Sequence, residues 1–140
     1  MKRNTSVTGE AAQLPVLTQF LQEFWSDADL PPAETVTFEL ALEEIFMNLV
    51  MHGAPAGRVP RVEVSLDLCD GCLTLVIEDD GPSFDPLSLA APDVTASLEK
   101  RRVGGLGVYL VRQMMDAVSY RRLGGRNQLS MTKRVREPTS

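Results

Sequence analysis

Glu44, Asn48 and His52 fall at i, i+4 and i+8 of the segment FELALEEIFMNLVMHG. On a helix this spacing puts them in one row. The row borders an apolar stripe of Phe38, Leu42, Ile45 and Leu49, spaced 4-3-4, and polar groups at such a border often face a cleft. A carboxylate at Glu44 can accept a proton from an attacking hydroxyl, or orient it. The hard carbonyl oxygen of Asn48 suits a Mg²⁺ ion held mainly by phosphates. Taken alone, the same row also reads as a polar border stabilised by side-chain pairs. His52 is the sole histidine. A Glu–Asn–His set is poor for zinc, and capping the helix end suits His52 better. Glu43 lies on the far side of Glu44 and is expected in solvent.

Two further segments carry chemistry. VIEDDGPSFDP (Val76 to Pro86) ends a strand with two acids and then breaks at Gly81-Pro82. Strand alternation turns Asp79 and Asp80 to opposite faces, so only one can be buried. A buried carboxylate there can accept a hydrogen bond from a purine amino group, and Gly81 lets the chain turn closely beneath the base. GGLGVYLVRQMMD (Gly104 to Asp116) passes abruptly from glycines to an amphipathic helix pattern. Glycine permits close backbone approach, and the first N–H groups of a helix favour an anion. A plain tight turn remains the alternative for the glycines taken alone.

These residues need elements to position them. Residues 11–27 read as a first amphipathic helix on Leu14, Leu17, Phe20, Leu21 and Phe24, with Pro15 in its first turn. Pro31-Pro32 opens a second helix, which runs to about His52 with Gly53 as its stop. Residues 61–68 alternate strictly and 73–78 form the return strand. Asp70-Gly71 between them is a two-residue hairpin signal. Cys69 and Cys72 flank that turn; a single CxxC has too few ligands for zinc, and both read as reduced hairpin residues. Residues of about 83–103 are irregular, a length typical of a functional lid, with a helical turn near Val94 to Lys100. After the glycine–helix unit come a strand over Ala117 to Leu123, a turn at Gly124-Gly125 and a final strand over Asn127 to Val135. The order ααββ–loop–αββ predicts an α+β fold: a two-layer α/β sandwich, with a mostly antiparallel, mixed sheet and the helices on one face.

The 140 residues are expected to form a single domain with a core of about 10–135. No apolar run reaches membrane-spanning length and the N-terminus lacks a signal-peptide pattern, so a cytoplasmic protein without a membrane partner is expected. The net charge of −5 argues against nucleic acid. The charge is uneven: residues 1–99 carry 4 basic and 17 acidic side chains, residues 100–140 carry 10 and 2. The glycine–helix segment opens the basic part, where a polyphosphate would be attracted; a dipolar surface or a basic patch for an acidic protein partner is the alternative, and charge alone does not choose.

Taken together, the ExxxN helix, the DxG turn after a strand, the lid and the GxG turn before a helix resemble the Bergerat-fold ATPases of gyrase, MutL and histidine kinases. Within them the chain is most similar to the bacterial anti-sigma-factor serine/threonine-protein kinases. The resemblance rests on Asp79-Asp80-Gly81-Pro82-Ser83-Phe84-Asp85-Pro86, on Gly104 to Val111 followed by Met115-Asp116 and Tyr120, and on Gly125-Arg126-Asn127-Gln128-Leu129 with Thr132-Lys133. It implies ATP and Mg²⁺ as cofactors, Glu44 as catalytic base and Asn48 as the Mg²⁺ ligand. It implies Asp79 as the adenine reader, with Gly81 and Phe84 in the same box. It implies Gly105 and Gly107 as the phosphate-binding glycines, Gly104, Leu106 and Val108 as cofactor-binding neighbours, and Thr132 on the strand that borders the nucleotide. It further implies a STAS-domain anti-sigma-factor antagonist as substrate, a sequestered sigma factor or other regulator, and a homodimer. Relatives begin with a clear strand, whereas this N-terminus is only weakly strand-like. A nucleotide-binding regulatory module that transfers no phosphate is the alternative.

Overall fold

In the computed structural model, residues 1–52, 57–88 and 106–137 are described. The elements follow in the order β1 (Lys2–Thr8), α1 (Leu14–Asp27), α2 (Thr35–His52), β2 (Arg61–Cys69), β3 (Cys72–Asp79), α3 (Leu106–Met114), β4 (Ala117–Leu123) and β5 (Arg126–Arg134). The strands form one sheet in the order β1-β2-β3-β5-β4, and every described pairing is antiparallel.

Alternation decides the two faces of the sheet. Val62, Val64, Leu66 and Leu68 of β2 and Leu73, Leu75 and Ile77 of β3 are buried. The residues between them, such as Glu63, Ser65, Thr74 and Glu78, are half-buried on the opposite face. The buried face meets Leu17, Leu21, Phe24 and Trp25 of α1, Phe38, Leu42, Ile45, Phe46 and Leu49 of α2, and Val108 and Val111 of α3 in one core. Each large apolar side chain fully buried there contributes about 1.5–3 kcal/mol relative to exposure. The helices thus cover one face, as the two-layer reading expects.

The β2–β3 turn places Asp70 at φ 52° and Gly71 at φ 81°, the pair of positive values a two-residue type I′ hairpin needs. A side chain at position 71 would also strike the Arg136 carbonyl. Cys69 and Cys72 face each other across this turn as free cysteines, at the far end of β3 from Asp79.

The structure departs from the sequence reading at the N-terminus. Lys2–Thr8 is a full strand, paired along its length with Arg61 to Asp67 of β2. Only Val7 in it is buried. An edge strand that places a single side chain in the core shows no apolar alternation, so periodicity misses it. The helix starts are tighter than expected: three-residue 3₁₀ turns at Ala11–Gln13 and Pro32–Glu34 precede α1 and α2. The expected stop at Gly53 and the turn near Val94 to Lys100 lie outside the described residues.

Candidate active site

Asp79 ends a core row. On β3 the helix-facing positions run Leu73, Leu75, Ile77, Asp79, so alternation carries the last member, a carboxylate, into the space between sheet and helices. It is 8% exposed. Asp80 turns the other way, as expected, and binds Arg58 and the Arg61 backbone N–H. Beyond β3 lies a small, partly open cleft of about 30 Å³. Its walls are apolar (Ile45 and Leu49 of α2, Ile77 of β3, Leu129 of β5), with Phe84 and Pro86 on the loop side and Asn48, Asp79, Tyr120 and Asn127 as its polar groups. Apolar walls with a few convergent polar groups are the usual form of a small-molecule site.

Asp79 Oδ1 accepts from the Gly81 backbone N–H at 2.9 Å and from Asn127 Nδ2 at 3.0 Å. Among the described residues no donor reaches Oδ2, which leaves Oδ2 as the acceptor that this cleft-lining carboxylate can offer. Burial raises the Asp79 pKa above the ordinary carboxylate value; the bonds from Asn127 and Gly81 and the charge of Arg122 oppose this, and Asp80 adds to it. Gly81 is held from both sides, since Arg122 Nη1 donates to its carbonyl at 2.7 Å. The Phe84 ring stacks on His52, centroids 5.4 Å apart and planes at 26°. His52 therefore meets the loop after β3 through its ring, a contact beyond the helix-capping job expected of it.

On α2, Asn48 Nδ2 donates to the Glu44 carbonyl at 2.8 Å. That bond ties the amide nitrogen back to the helix and leaves Oδ1 as the group Asn48 can offer to a cation. Among the described residues no cluster of three or more His, Cys, Asp or Glu is arranged to hold a metal, so a cation at Asn48 needs phosphate oxygens to complete its shell. A neutral amide oxygen fits Mg²⁺ bound in that way. Glu44, one turn earlier, is half-buried, and its pKa is raised first by burial and then by the charge of Glu43. Its carboxylate lies where a Cβ on Gly107 would be. α2 and α3 thus meet at a carboxylate and a glycine, and the first turn of α3, whose N–H groups have no helical partner, starts beside Glu44.

The expected site residues separate into three groups. Asn48, Asp79 and Phe84 line the cleft, Gly81 donates its backbone N–H to Asp79, and Glu44 and Gly107 stand in contact with each other. Gly104 and Gly105 lie outside the described residues, as does most of the 83–103 lid; Leu106 opens α3. Val108 sends its side chain into the core, which leaves its backbone N–H as the group it can present. Thr132 is not at the cleft. It pairs with Thr74, five residues along β3 from Asp79, and its hydroxyl meets that of Thr74 at 3.1 Å on the open face of the sheet. Parity is the reason: Asn127, Leu129 and Met131 point toward the helices, so Thr132 cannot. β5 does border the cleft, through Asn127 and Leu129. Asn127 and Tyr120 are the members that sequence reasoning missed. Both lie inside motif matches, but their part in the site depends on strand register, which spacing along one strand does not reveal.

An α+β sandwich with an apolar cleft, an acceptor carboxylate at a strand end and a glycine–carboxylate contact between two helices has the form of a small-molecule-binding domain. The chain matches the Histidine kinase-like ATPase domain over residues 7–133 and belongs to that family, which makes ATP its nucleotide. It is 32% identical over 96 residues to the serine/threonine-protein kinase BtrW of Bordetella bronchiseptica, covering 69% of this chain and 68% of the relative. It is 27% identical over 104 residues to the serine-protein kinase RsbW of Staphylococcus aureus, covering 71% of this chain and 65% of that one. The structure of the RsbU and RsbW domains of Rv1364c from Mycobacterium tuberculosis superposes over 99% of this chain and 33% of the larger protein, with a TM-score of 0.69 at 13% identity; that likeness is one of fold. Among the described residues no helix is long and apolar enough to cross a membrane.

Proposed function

We propose that this protein is an ATP-dependent serine/threonine-protein kinase and anti-sigma regulatory factor. Its substrate is a serine or threonine of a STAS-type antagonist, and the antagonist's unphosphorylated form displaces the sigma factor or other regulator that this protein holds in the cytoplasm. The observation that carries the reading is the Glu44 carboxylate lodged against Gly107, one helical turn from Asn48, at the start of α3. The kinase names of its relatives support it.

In this reading Ile77 and Leu129 would wall the base, Asp79 Oδ2 would accept from its amino group, and Asn48 and the first turn of α3 would face the phosphates. Asn48, through Oδ1, would hold Mg²⁺ together with phosphate oxygens, and the ion would supply neutralisation of phosphate charge. Phosphoryl transfer has a loose transition state, so positioning and charge neutralisation carry most of the catalysis. Glu44 orients the acceptor hydroxyl and takes its proton, a task helped by the raised pKa that burial gives it. Two copies pair through the N-terminal region, where β1 leaves one edge of the sheet open.

Incubation with γ-labelled ATP, magnesium and the co-encoded antagonist tests the reading. Label on a serine or threonine of the antagonist is expected, and Glu44→Ala should lower turnover by about 10²–10⁴ while sparing ATP affinity. ATP binding without any transfer by the native protein would instead make it a regulatory module that switches partners by binding alone.

A further inference from the structure

Asn127 is 5% exposed and spends its whole hydrogen-bonding capacity inside the protein. Its Nδ2 donates to Asp79 Oδ1 at 3.0 Å and to the Pro82 carbonyl at 2.8 Å. Its Oδ1 accepts from the Phe84 backbone N–H at 3.2 Å and from the Tyr120 hydroxyl at 2.6 Å. A side-chain amide has two N–H donors and one oxygen with two lone pairs, so all four places are taken. Asn127 has nothing left to offer a nucleotide, although it lines the cleft. Its register partner across the β3–β5 ladder is Asp79 itself, which is why the amide reaches the carboxylate and the loop after it together.

We infer that Asn127 is the positioning residue that sets base preference: by holding Asp79 Oδ1 and the Pro82–Phe84 loop, it leaves Asp79 Oδ2 as the one acceptor aimed at the base. The inference rests on the nucleotide site proposed above. Adenine presents an amino donor at position 6, whereas guanine presents a carbonyl acceptor there. An ionised carboxylate only accepts, so a fixed Oδ2 favours the first and repels the second. Were Asp79 free to rotate, that selection would weaken even if the cleft kept its shape.

The test is calorimetric titration of the full chain with ATP and with GTP, each in excess magnesium, for the native protein and Asn127→Asp. The substitution keeps size and shape but turns an oxygen toward Asp79 Oδ1 and the Pro82 carbonyl, driving Asp79 out of its orientation. The ratio Kd(GTP)/Kd(ATP) should fall by about tenfold or more, the worth of one hydrogen bond to a charged group. A role confined to supporting the fold would raise both constants together, and an unchanged ratio in a folded variant overturns the inference. Circular dichroism reports folding. Should Asn127→Asp not fold, Tyr120→Phe carries the test, since it removes one bond to the Asn127 oxygen and leaves the ring: the ratio should fall by about twofold or more, and no change overturns the inference. A native protein that binds neither nucleotide overturns the site reading and this inference with it; a native protein that prefers ATP, with variants that prefer it equally, overturns this inference alone.

Discussion

Replacing Gly107 by alanine should separate catalysis from stability. An alanine in place of glycine inside a helix ordinarily stabilises by about 0.5–1 kcal/mol. Here the new methyl would overlap the Glu44 carboxylate. The obstacle is the far end of a flexible side chain that is only half-buried, so Glu44 can swing away at about 0.5–1.5 kcal/mol for leaving its rotamer. The two effects nearly cancel, and thermal unfolding should shift by only about 4 °C in either direction. The carboxylate, however, would no longer stand beside the first turn of α3. A displacement of about 1 Å at a reacting group costs on the order of 10² in rate, and full loss of a general base costs about 10²–10⁴. Transfer of label from γ-labelled ATP to the antagonist should therefore fall by at least about 10² in Gly107→Ala, mainly in kcat. The Gly107→Ala,Glu44→Ala double variant should be no slower than Glu44→Ala, because the two changes remove the same group. A well-folded Gly107→Ala protein that transfers phosphate at the native rate would refute the claim that the Glu44–Gly107 contact positions the carboxylate.

Three further outcomes follow from the same geometry. Asp79→Asn places an amino donor in the cleft where an acceptor stood or turns one toward Asn127, and should weaken ATP binding by roughly 10- to 150-fold in calorimetry. Because burial raises the Asp79 pKa in the folded state, its contribution to stability is full below the ordinary carboxylate range and is lost as pH rises through the raised value; denaturant titrations across that window should show a fall in stability with pH that Asp79→Asn flattens. Thr132→Val should leave the ATP dissociation constant unchanged, since among the described residues the Thr132 hydroxyl bonds to Thr74 on the open face of the sheet.

Several parts of this molecule could be read along the chain because they are local. The stripe of Phe38, Leu42, Ile45 and Leu49 is buried as its spacing requires, and the opposite fates of Asp79 and Asp80 follow from strand parity alone. The Asp70-Gly71 turn announced its hairpin through residue type. What could not be read depended on partners distant in sequence. β1 is held by its pairing to β2 and not by a face of its own, so its residues carry little pattern. Thr132 occupies a suggestive motif position, but which residue of β5 stands opposite Asp79 is set by the β3–β5 register, and that residue is Asn127. The Glu44–Gly107 contact depends in the same way on how α2 and α3 approach each other, which no spacing within either helix fixes.

The central claim is that ATP lodges between the Glu44–Asn48 face of α2, the Asp79 end of β3 and the start of α3. The most direct test follows backbone and side-chain amide resonances of isotopically labelled protein as ATP and magnesium are added. The account predicts the largest shifts at Gly81, Phe84, Gly107, Val108 and the Asn48 side-chain amide, with the Cys69–Cys72 hairpin tip unmoved. Saturating nucleotide that leaves those resonances in place, or that moves only signals at the hairpin tip and the open face of the sheet, would contradict it.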